Sequence, residues 1–113
     1  MIKFKNLLLD KNSSINDAIM LIRLNNKRTI FINDKKKIVG VVSAGDILNA
    51  LLYKKNLQSP VNKIMNKSFK FLHKKDLTLA KKYFIEFEIL LLPIVNKKME
   101  LKDLITLNDI LKY

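Results

Sequence analysis

The stretch GVVSAGDIL, residues 40–48, changes character within a few positions. A run of apolar, β-branched residues stops at Ser43, Asp46 follows three residues later, and a second apolar run begins at once. The same change occurs in DLITLNDIL, residues 103–111, where Thr106 and Asp109 take the two polar positions. Both stretches predict a buried strand that ends in a hydroxyl residue and passes directly into a helix.

These stretches belong to a longer internal repeat. A shift of 63 positions aligns residues 29–48 with residues 92–111, and Asp-Ile-Leu recurs at the end of both. Upstream, Ala18 and Ala80 lie in matching helical patterns, with one residue more in the spacing of the second copy. Since a copy of about 50 residues is marginal for a core of its own, we expect the two copies to pack on each other about a pseudo-twofold axis.

Each copy predicts the order helix, strand, strand, helix. In the first copy, Ser14 and Asp17 predict a capping box at the start of the first helix. The segments TIFIN (29–33) and IVGVVS (38–43) predict strands joined by the polar turn DKKK. A second helix is predicted from about residue 45 to residue 54. Its expected buried residues are Ile47, Leu48, Leu51 and Leu52.

The second copy repeats this order. Its strands are predicted at LLPIV (91–95) and LKDLIT (101–106), and its last helix is short. Its first helix has an apolar stripe formed by Leu79, Ala80, Tyr83, Phe84 and Phe87. Between the copies, SPVNKIM (59–65) predicts a short helix capped by Ser59. We therefore expect an α+β fold of two αββα repeats, 1–57 and 58–113, in one compact module.

The composition excludes several classes of protein. An apolar content of 49% with 28% charged residues is typical of a folded globular protein. The chain has no cysteine, so it has no disulfide or thiolate metal site, and a cytoplasmic location fits best. Its longest apolar run, ILLLPIV, has seven residues, far below the roughly 18 of a membrane span. We expect a soluble protein.

The formal charge of +12 comes almost entirely from lysine. Since the lysines are scattered over loops and polar helix faces, they favour a solvated surface over a nucleic-acid interface. Such a surface would still attract anionic ligands. His73 is the only histidine and is expected at the surface. With no nucleophile–base pair and no metal-ligand cluster, the chain is not expected to be an enzyme or to require a metal or cofactor.

The repeated strand–[Ser/Thr]-x-x-Asp–helix pattern resembles a cystathionine-β-synthase (CBS) domain pair, also called a Bateman module. IVGVVSAGDILNALL, LPIVNKKMELKDLITLNDIL and the intervening SPVNKIMNK carry the resemblance, which covers essentially the whole chain. Residues 45–67 are also similar to the CBS pair at the N-terminus of bacterial sugar-phosphate nucleotidyltransferases. This similarity implies that the chain is the N-terminal part of a longer protein whose catalytic domain it regulates in sugar-nucleotide biosynthesis.

The resemblance implies a binding site for an adenine nucleotide (AMP, ADP or ATP) in the cleft between the repeats. Hydroxyl residues would contact the phosphate and Asp residues the ribose, so the implied ligands are Ser43 and Asp46, then Thr106 and Asp109. Arg28 is a candidate phosphate partner, and its counterpart at the 63-residue shift is Leu91. Thr29 and Pro93 are candidates for contact with the purine.

Other interpretations stay open at this point. The Ser–Asp and Thr–Asp pairs are also capping boxes, which need no ligand. Gly40 permits the close approach of a ligand or a second backbone, whereas its counterpart, Asp103, predicts an altered second site. The module could also be a ligand-free dimerisation surface, and the resemblance implies a homodimer formed through helical faces. A Lys-rich nucleic-acid binder is the least favoured alternative.

Overall fold

The structure, a computed structural model, describes residues 4–112. Its first unit is built on a three-stranded sheet in which β1 runs parallel to β2, and β2 antiparallel to β3. The elements of this unit are β1 (Leu8–Asp10), α1 (Ile15–Asn25), β2 (Thr29–Asp34), β3 (Lys37–Ser43), α2 (Ala44–Leu52) and a 3₁₀ turn (Val61–Lys63). The core lies between the sheet and the helices and contains Ile15, Ala18, Ile30, Ile32, Val42, Ile47 and Val61.

The second unit repeats this arrangement with a smaller sheet. Its strands β4 and β5 pair antiparallel. Its elements are α3 (Leu77–Phe87), β4 (Leu91–Val95), β5 (Leu101–Thr106) and α4 (Leu107–Leu111). Its core contains Leu72, Ala80, Phe84, Leu92, Ile94 and Ile105. The predicted α+β class and the order helix, strand, strand, helix in each copy are confirmed.

The strand β1 was not predicted, and its equivalent in the second unit is an isolated bridge. In the first unit, the N–H of Phe31 in β2 donates to the carbonyl of Leu7 over 2.7 Å. By strand register, Pro93 takes the place of Phe31 in β4, and proline has no N–H to donate. The parallel pairing is therefore reduced to a bridge between Leu72 and Ile94.

The strand register corrects the alignment of the two copies. Thr29 pairs with Ser43, and Leu91 pairs with Thr106, so β2 matches β4 at a shift of 62 while β3 matches β5 at 63. The same shift of 62 relates α1 to α3. The extra residue of the second copy thus lies in the turn between β4 and β5. Both hairpins have a register irregularity at the same place, after Ile32 and after Ile94.

The structure divides into one compact unit ending at Phe69 and another beginning at Lys70, whereas the sequence prediction put the boundary after residue 57. Residues 58–69, here called the linker, are held to the first unit by hydrogen bonds. The N–H of Ile15 donates to the carbonyl of Ser59 over 2.9 Å, and the N–H of Val61 donates to the carbonyl of Ser13 over 2.6 Å. The predicted helix in this segment is only the 3₁₀ turn, and Ser59 does not cap it.

The predicted burial of α2 is partly wrong. Ile47 is buried as expected, but Leu48, Leu51 and Leu52 are 56%, 49% and 67% exposed. Ala50, one turn after Ile47, completes the buried face instead. The helix therefore places its small residue against the core and three leucines at the surface.

The predicted stripe of α3 needs a similar correction at its C-terminal end. Ala80 and Phe84 are buried, but Phe87 is 44% exposed. Its ring lies beneath the ammonium group of Lys70, whose Nζ is 4.3 Å from the ring centroid. Tyr83 packs edge-on against the same ring. Within residues 4–112, no helix is both long and apolar enough to cross a membrane.

Candidate functional site

The N-terminus of α2 is closed by a complete capping box. The hydroxyl of Ser43 accepts a hydrogen bond from the N–H of Asp46 over 3.3 Å, and Asp46 Oδ2 accepts one from the N–H of Ser43 over 2.9 Å. The Ser43 hydroxyl also donates to Asp46 Oδ2 over 3.1 Å. Both side chains are half-buried. This local pairing explains why a buried strand ends in a hydroxyl and a carboxylate.

Capping boxes also close the N-termini of two other helices. Thr106 and Asp109 form a capping box at α4, with Asp109 Oδ2 accepting from the N–H of Thr106 over 2.8 Å. Ser14 and Asp17 form one at α1, as predicted. The structural interpretation of the Ser/Thr–Asp pairs is therefore confirmed. A function of Asp46 beyond capping has to be separated from this shared role by experiment.

Four of the predicted site residues lie together in the first unit. Thr29 pairs with Ser43 across the sheet, which brings the start of β2 to the end of β3. The carbonyl of Arg28 accepts the N–H of Ala44, the first residue of α2, over 2.9 Å. Arg28 has a left-handed backbone conformation (φ 59°), and it is exposed. Arg28, Thr29, Ser43 and Asp46 thus surround one helix N-terminus.

The corresponding position of the second unit lacks the arginine. Leu91 lies opposite Thr106, so Leu91 corresponds to Thr29, and the counterpart of Arg28 is Leu90. The expected counterpart, Leu91, was wrong because the alignment placed the extra residue before β4. The expectation that the two sites differ stays a prediction; at this position a leucine takes the place of a cation.

The two purine candidates offer little surface. Thr29 is 8% exposed, and Pro93 is among the side chains that are less than 2% exposed. Pro93 lies within β4 opposite Leu104, two residues from the strand end where Leu91 meets Thr106. We therefore do not keep either side chain as a platform for a base.

Gly40 accommodates the linker. A Cβ at this position would lie 2.5 Å from Sδ and 2.8 Å from Cγ of Met65. Beside it, Val41 and Asn66 exchange backbone hydrogen bonds of 3.0 and 2.8 Å. The close approach expected at Gly40 is thus made by the linker, which adds one bridging residue to the outer edge of β3.

Sequence reasoning missed a surface cavity of about 180 Å³ beside α2. Asp46 and Asn49 of α2, and Tyr53 at its C-cap, line the cavity. Their spacing of three and four residues is the signal that could have revealed a shared face. Lys55 and Lys63 also line the cavity.

Among the other candidates, His73 is exposed as expected, with Nδ1 3.0 Å from the carbonyl oxygen of Val95.

Comparison with known proteins identifies this fold. A CBS domain protein from Pyrobaculum aerophilum, solved in complex with AMP, has a TM-score of 0.80 and 24% identity, covering 91% of this chain and 81% of that one. A candidate acetoin utilization protein from Vibrio cholerae has a TM-score of 0.79 and 26% identity, covering 93% and 79%. The cytosolic domain of the Mg²⁺ channel MgtE, in complex with ATP, has a TM-score of 0.77 and 18% identity, covering 94% and 44%.

The chain therefore has the fold of the CBS-domain proteins. The sequence model of the CBS domain family matches residues 4–53, from the first described residue to the C-cap of α2. Because the structural matches cover more than 90% of the chain, they include the second unit and support the predicted pair of domains. No curated protein sequence matches the chain.

Proposed function

We propose that this chain is a non-catalytic, cytoplasmic regulatory module that binds an adenine nucleotide at the N-terminus of α2. The observation that supports it most is the convergence of Arg28, Ser43 and Asp46 around one helix N-terminus. Two of the matching structures were solved with AMP and with ATP, which makes an adenine nucleotide the first ligand to test.

The groups at this site have complementary tasks. A helix N-terminus offers N–H donors and a partial positive charge, which suit a phosphate. The N–H of Ala44 is bonded to Arg28 and that of Asp46 to Ser43, so the donor between them, on Gly45, is the one offered to a phosphate. The exposed guanidinium of Arg28 adds a cation. Asp46 accepts hydrogen bonds only, which suits the hydroxyls of a ribose.

The capping box sets a cost for this binding. The Ser43 hydroxyl donates to Asp46 Oδ2 in the structure, so it must rotate to donate to a phosphate instead. The cap itself is kept, because Ser43 Oγ still accepts from the N–H of Asp46 and Asp46 Oδ2 from the N–H of Ser43. The one bond lost runs from the hydroxyl to Asp46 Oδ2, and a charge-assisted hydrogen bond to the phosphate offsets it. Nucleotide binding and capping therefore use the same residues in two hydrogen-bonding arrangements.

The test is a calorimetric titration of the chain with AMP, ADP and ATP, in the wild type and in two matched variants. Asp46→Ala removes the proposed ribose ligand together with a capping box, whereas Asp17→Ala removes only the capping box of α1. We expect micromolar binding that Asp46→Ala weakens by roughly tenfold or more, since a hydrogen bond to a charged group is lost. Equal affinities in both variants would refute the role of Asp46, and no binding by the wild type would refute the site.

A second role is favoured by the exposed leucines of α2. Three large apolar side chains on one short helix suit a contact with another protein surface. We propose that this face forms a homodimer, which would serve the module whether or not a nucleotide binds.

Two further predictions retain their basis in the sequence. The regulated domain, a sugar-phosphate nucleotidyltransferase, is supported by the similarity of residues 45–67, and the coding sequence beyond residue 113 would test it. A second nucleotide site at Thr106 and Asp109 has weaker support, because α4 is only five residues long and Leu90 takes the place of Arg28.

A further inference from the structure

The cavity beside α2 begins at the proposed ribose ligand. Asp46 lines both the helix N-terminus and this cavity, which then follows α2 past Asn49 to Tyr53. Lys55, just after the helix, and Lys63 in the 3₁₀ turn also line it. A group bound there would therefore lie next to Asp46, on the side leading away from the phosphate-binding end of the helix.

The backbone around the cavity is held in place. Lys55 follows α2 in a turn in which its N–H donates to the carbonyl of Ala50 over 2.9 Å. The N–H of Lys63 donates to the carbonyl of Pro60 over 3.1 Å. Ala50, which is 1% exposed, and the half-buried Ile64 provide the apolar part of the lining. The backbone of both lysines that line the cavity is thus held by hydrogen bonds.

The size and chemistry of the cavity suit a single anionic group. Its volume of about 180 Å³ is below the roughly 300–1,000 Å³ of sites that enclose a whole small molecule. The lining has two lysines, a phenol and an amide as hydrogen-bond donors and one carboxylate, that of Asp46, so its formal charge is positive overall. Lysine is a common phosphate ligand. A phosphate attached to a larger ligand satisfies both the volume and the charge.

We propose that this cavity is a second phosphate subsite, so that the preferred ligand is a nucleotide with a further phosphate on the 2′ or 3′ oxygen of its ribose. This inference rests on the proposed function, because it takes the ribose to lie at Asp46. The first phosphate binds at the N-terminus of α2, the ribose hydroxyl that stays free donates to Asp46, and the second phosphate lies beside Lys55 and Lys63.

The test compares AMP with adenosine 3′,5′-bisphosphate and adenosine 2′,5′-bisphosphate by calorimetric titration. The readout is the ratio of the dissociation constants of AMP and each bisphosphate. We expect one bisphosphate to bind roughly tenfold or more tightly than AMP in the wild type, as for a hydrogen bond to a charged group. In Lys55→Gln and Lys63→Gln, this ratio falls towards one. Lys54→Gln removes the same charge from a lysine that does not line the cavity, and the ratio is retained.

Each other outcome has a definite meaning. If AMP and both bisphosphates bind the wild type equally, the subsite is refuted while the nucleotide site stands. If a bisphosphate is preferred but the preference survives in both lysine variants, the second phosphate binds elsewhere, and the subsite is again refuted. If neither AMP nor a bisphosphate binds, the proposed function and the subsite both fail.

Discussion

At Gly40 the backbone of β3 lies directly against the side chain of Met65. We expect Gly40→Ala to destabilise the chain by about 1–3 kcal/mol, because the new methyl group would overlap Sδ and Cγ of Met65. Denaturation by urea, followed by circular dichroism, measures the change in the free energy of unfolding. Because a Met65→Ala change removes the overlapping atoms, the loss in the double variant should be smaller than the sum of the two single losses.

The second glycine provides the matched control for this substitution. A Cβ on Gly45 would meet only Ser43 Oγ, at an ordinary 3.6 Å, and the residue lies in the first turn of α2. Gly45→Ala should therefore leave stability unchanged or raise it by up to about 1 kcal/mol through helix propensity. If the Gly40→Ala and Gly45→Ala variants had equal stability, close packing of the linker against residue 40 would not be what requires a glycine there.

At the scale of elements, the backbone N–H groups at the outer edges of the two hairpins donate to different acceptors. In β3, the N–H of Val41 donates to the carbonyl of Asn66 in the linker. In β5, the corresponding N–H of Leu104 donates to Oδ1 of Asp103 over 2.8 Å. The aspartate at the position of Gly40 thus provides an acceptor and a charge at a strand edge, and charged residues at such edges oppose pairing with other chains.

This difference predicts the effect of removing the carboxylate. Asp103→Ala should increase self-association through β5, because it leaves an edge N–H without this acceptor and removes a charge. Light scattering over a range of protein concentrations should detect species larger than those of the wild type. Asp103→Asn separates the two causes, since it keeps an acceptor oxygen and loses the charge. An unchanged size distribution in Asp103→Ala would show that the aspartate does not protect this edge.

The elements themselves could be predicted from local patterns. All three Ser/Thr-x-x-Asp capping boxes and four of the five strands lie where the sequence indicated, because each depends on residues close together along the chain. The strand β1 was missed because three residues are too few for an alternating pattern. The position of the inserted residue was missed because only the pairing of β4 with β5 fixes the register.

Burial and the site depended on contacts distant in sequence. From the sequence alone, the buried face of α2 could contain either the leucines or Ala50. Only packing in the folded unit shows that Ala50 faces inward. Ser43 and Asp46 could be chosen from their spacing of three. Arg28 was a candidate through the resemblance, but its hydrogen bond to Ala44 and the position of Lys63 beside the cavity do not follow from local patterns, because both depend on contacts between separate segments.

At the scale of the whole molecule, a large net charge restricts which surface two copies of the chain can share. Two chains of formal charge +12 repel each other, so they should meet where lysines are absent. Within residues 44–52 the only charged residue is Asp46, and Leu48, Leu51 and Leu52 are exposed there. This helix is the surface that we expect a second copy to bind.

Sedimentation equilibrium at tens of micromolar protein should therefore show a dimer in the wild type and a monomer in Leu52→Glu. Gln58→Glu introduces the same charge at an exposed position of the linker and should remain dimeric. Because salt screens the repulsion between the two chains while leaving apolar contacts in place, the dimer should strengthen as ionic strength rises. A monomeric wild type, or a Leu52→Glu variant that dimerises as well as the wild type, would contradict an interface on α2. A dimer weakened by salt would instead indicate an interface held by opposite charges, and the exposed leucines would then need another partner.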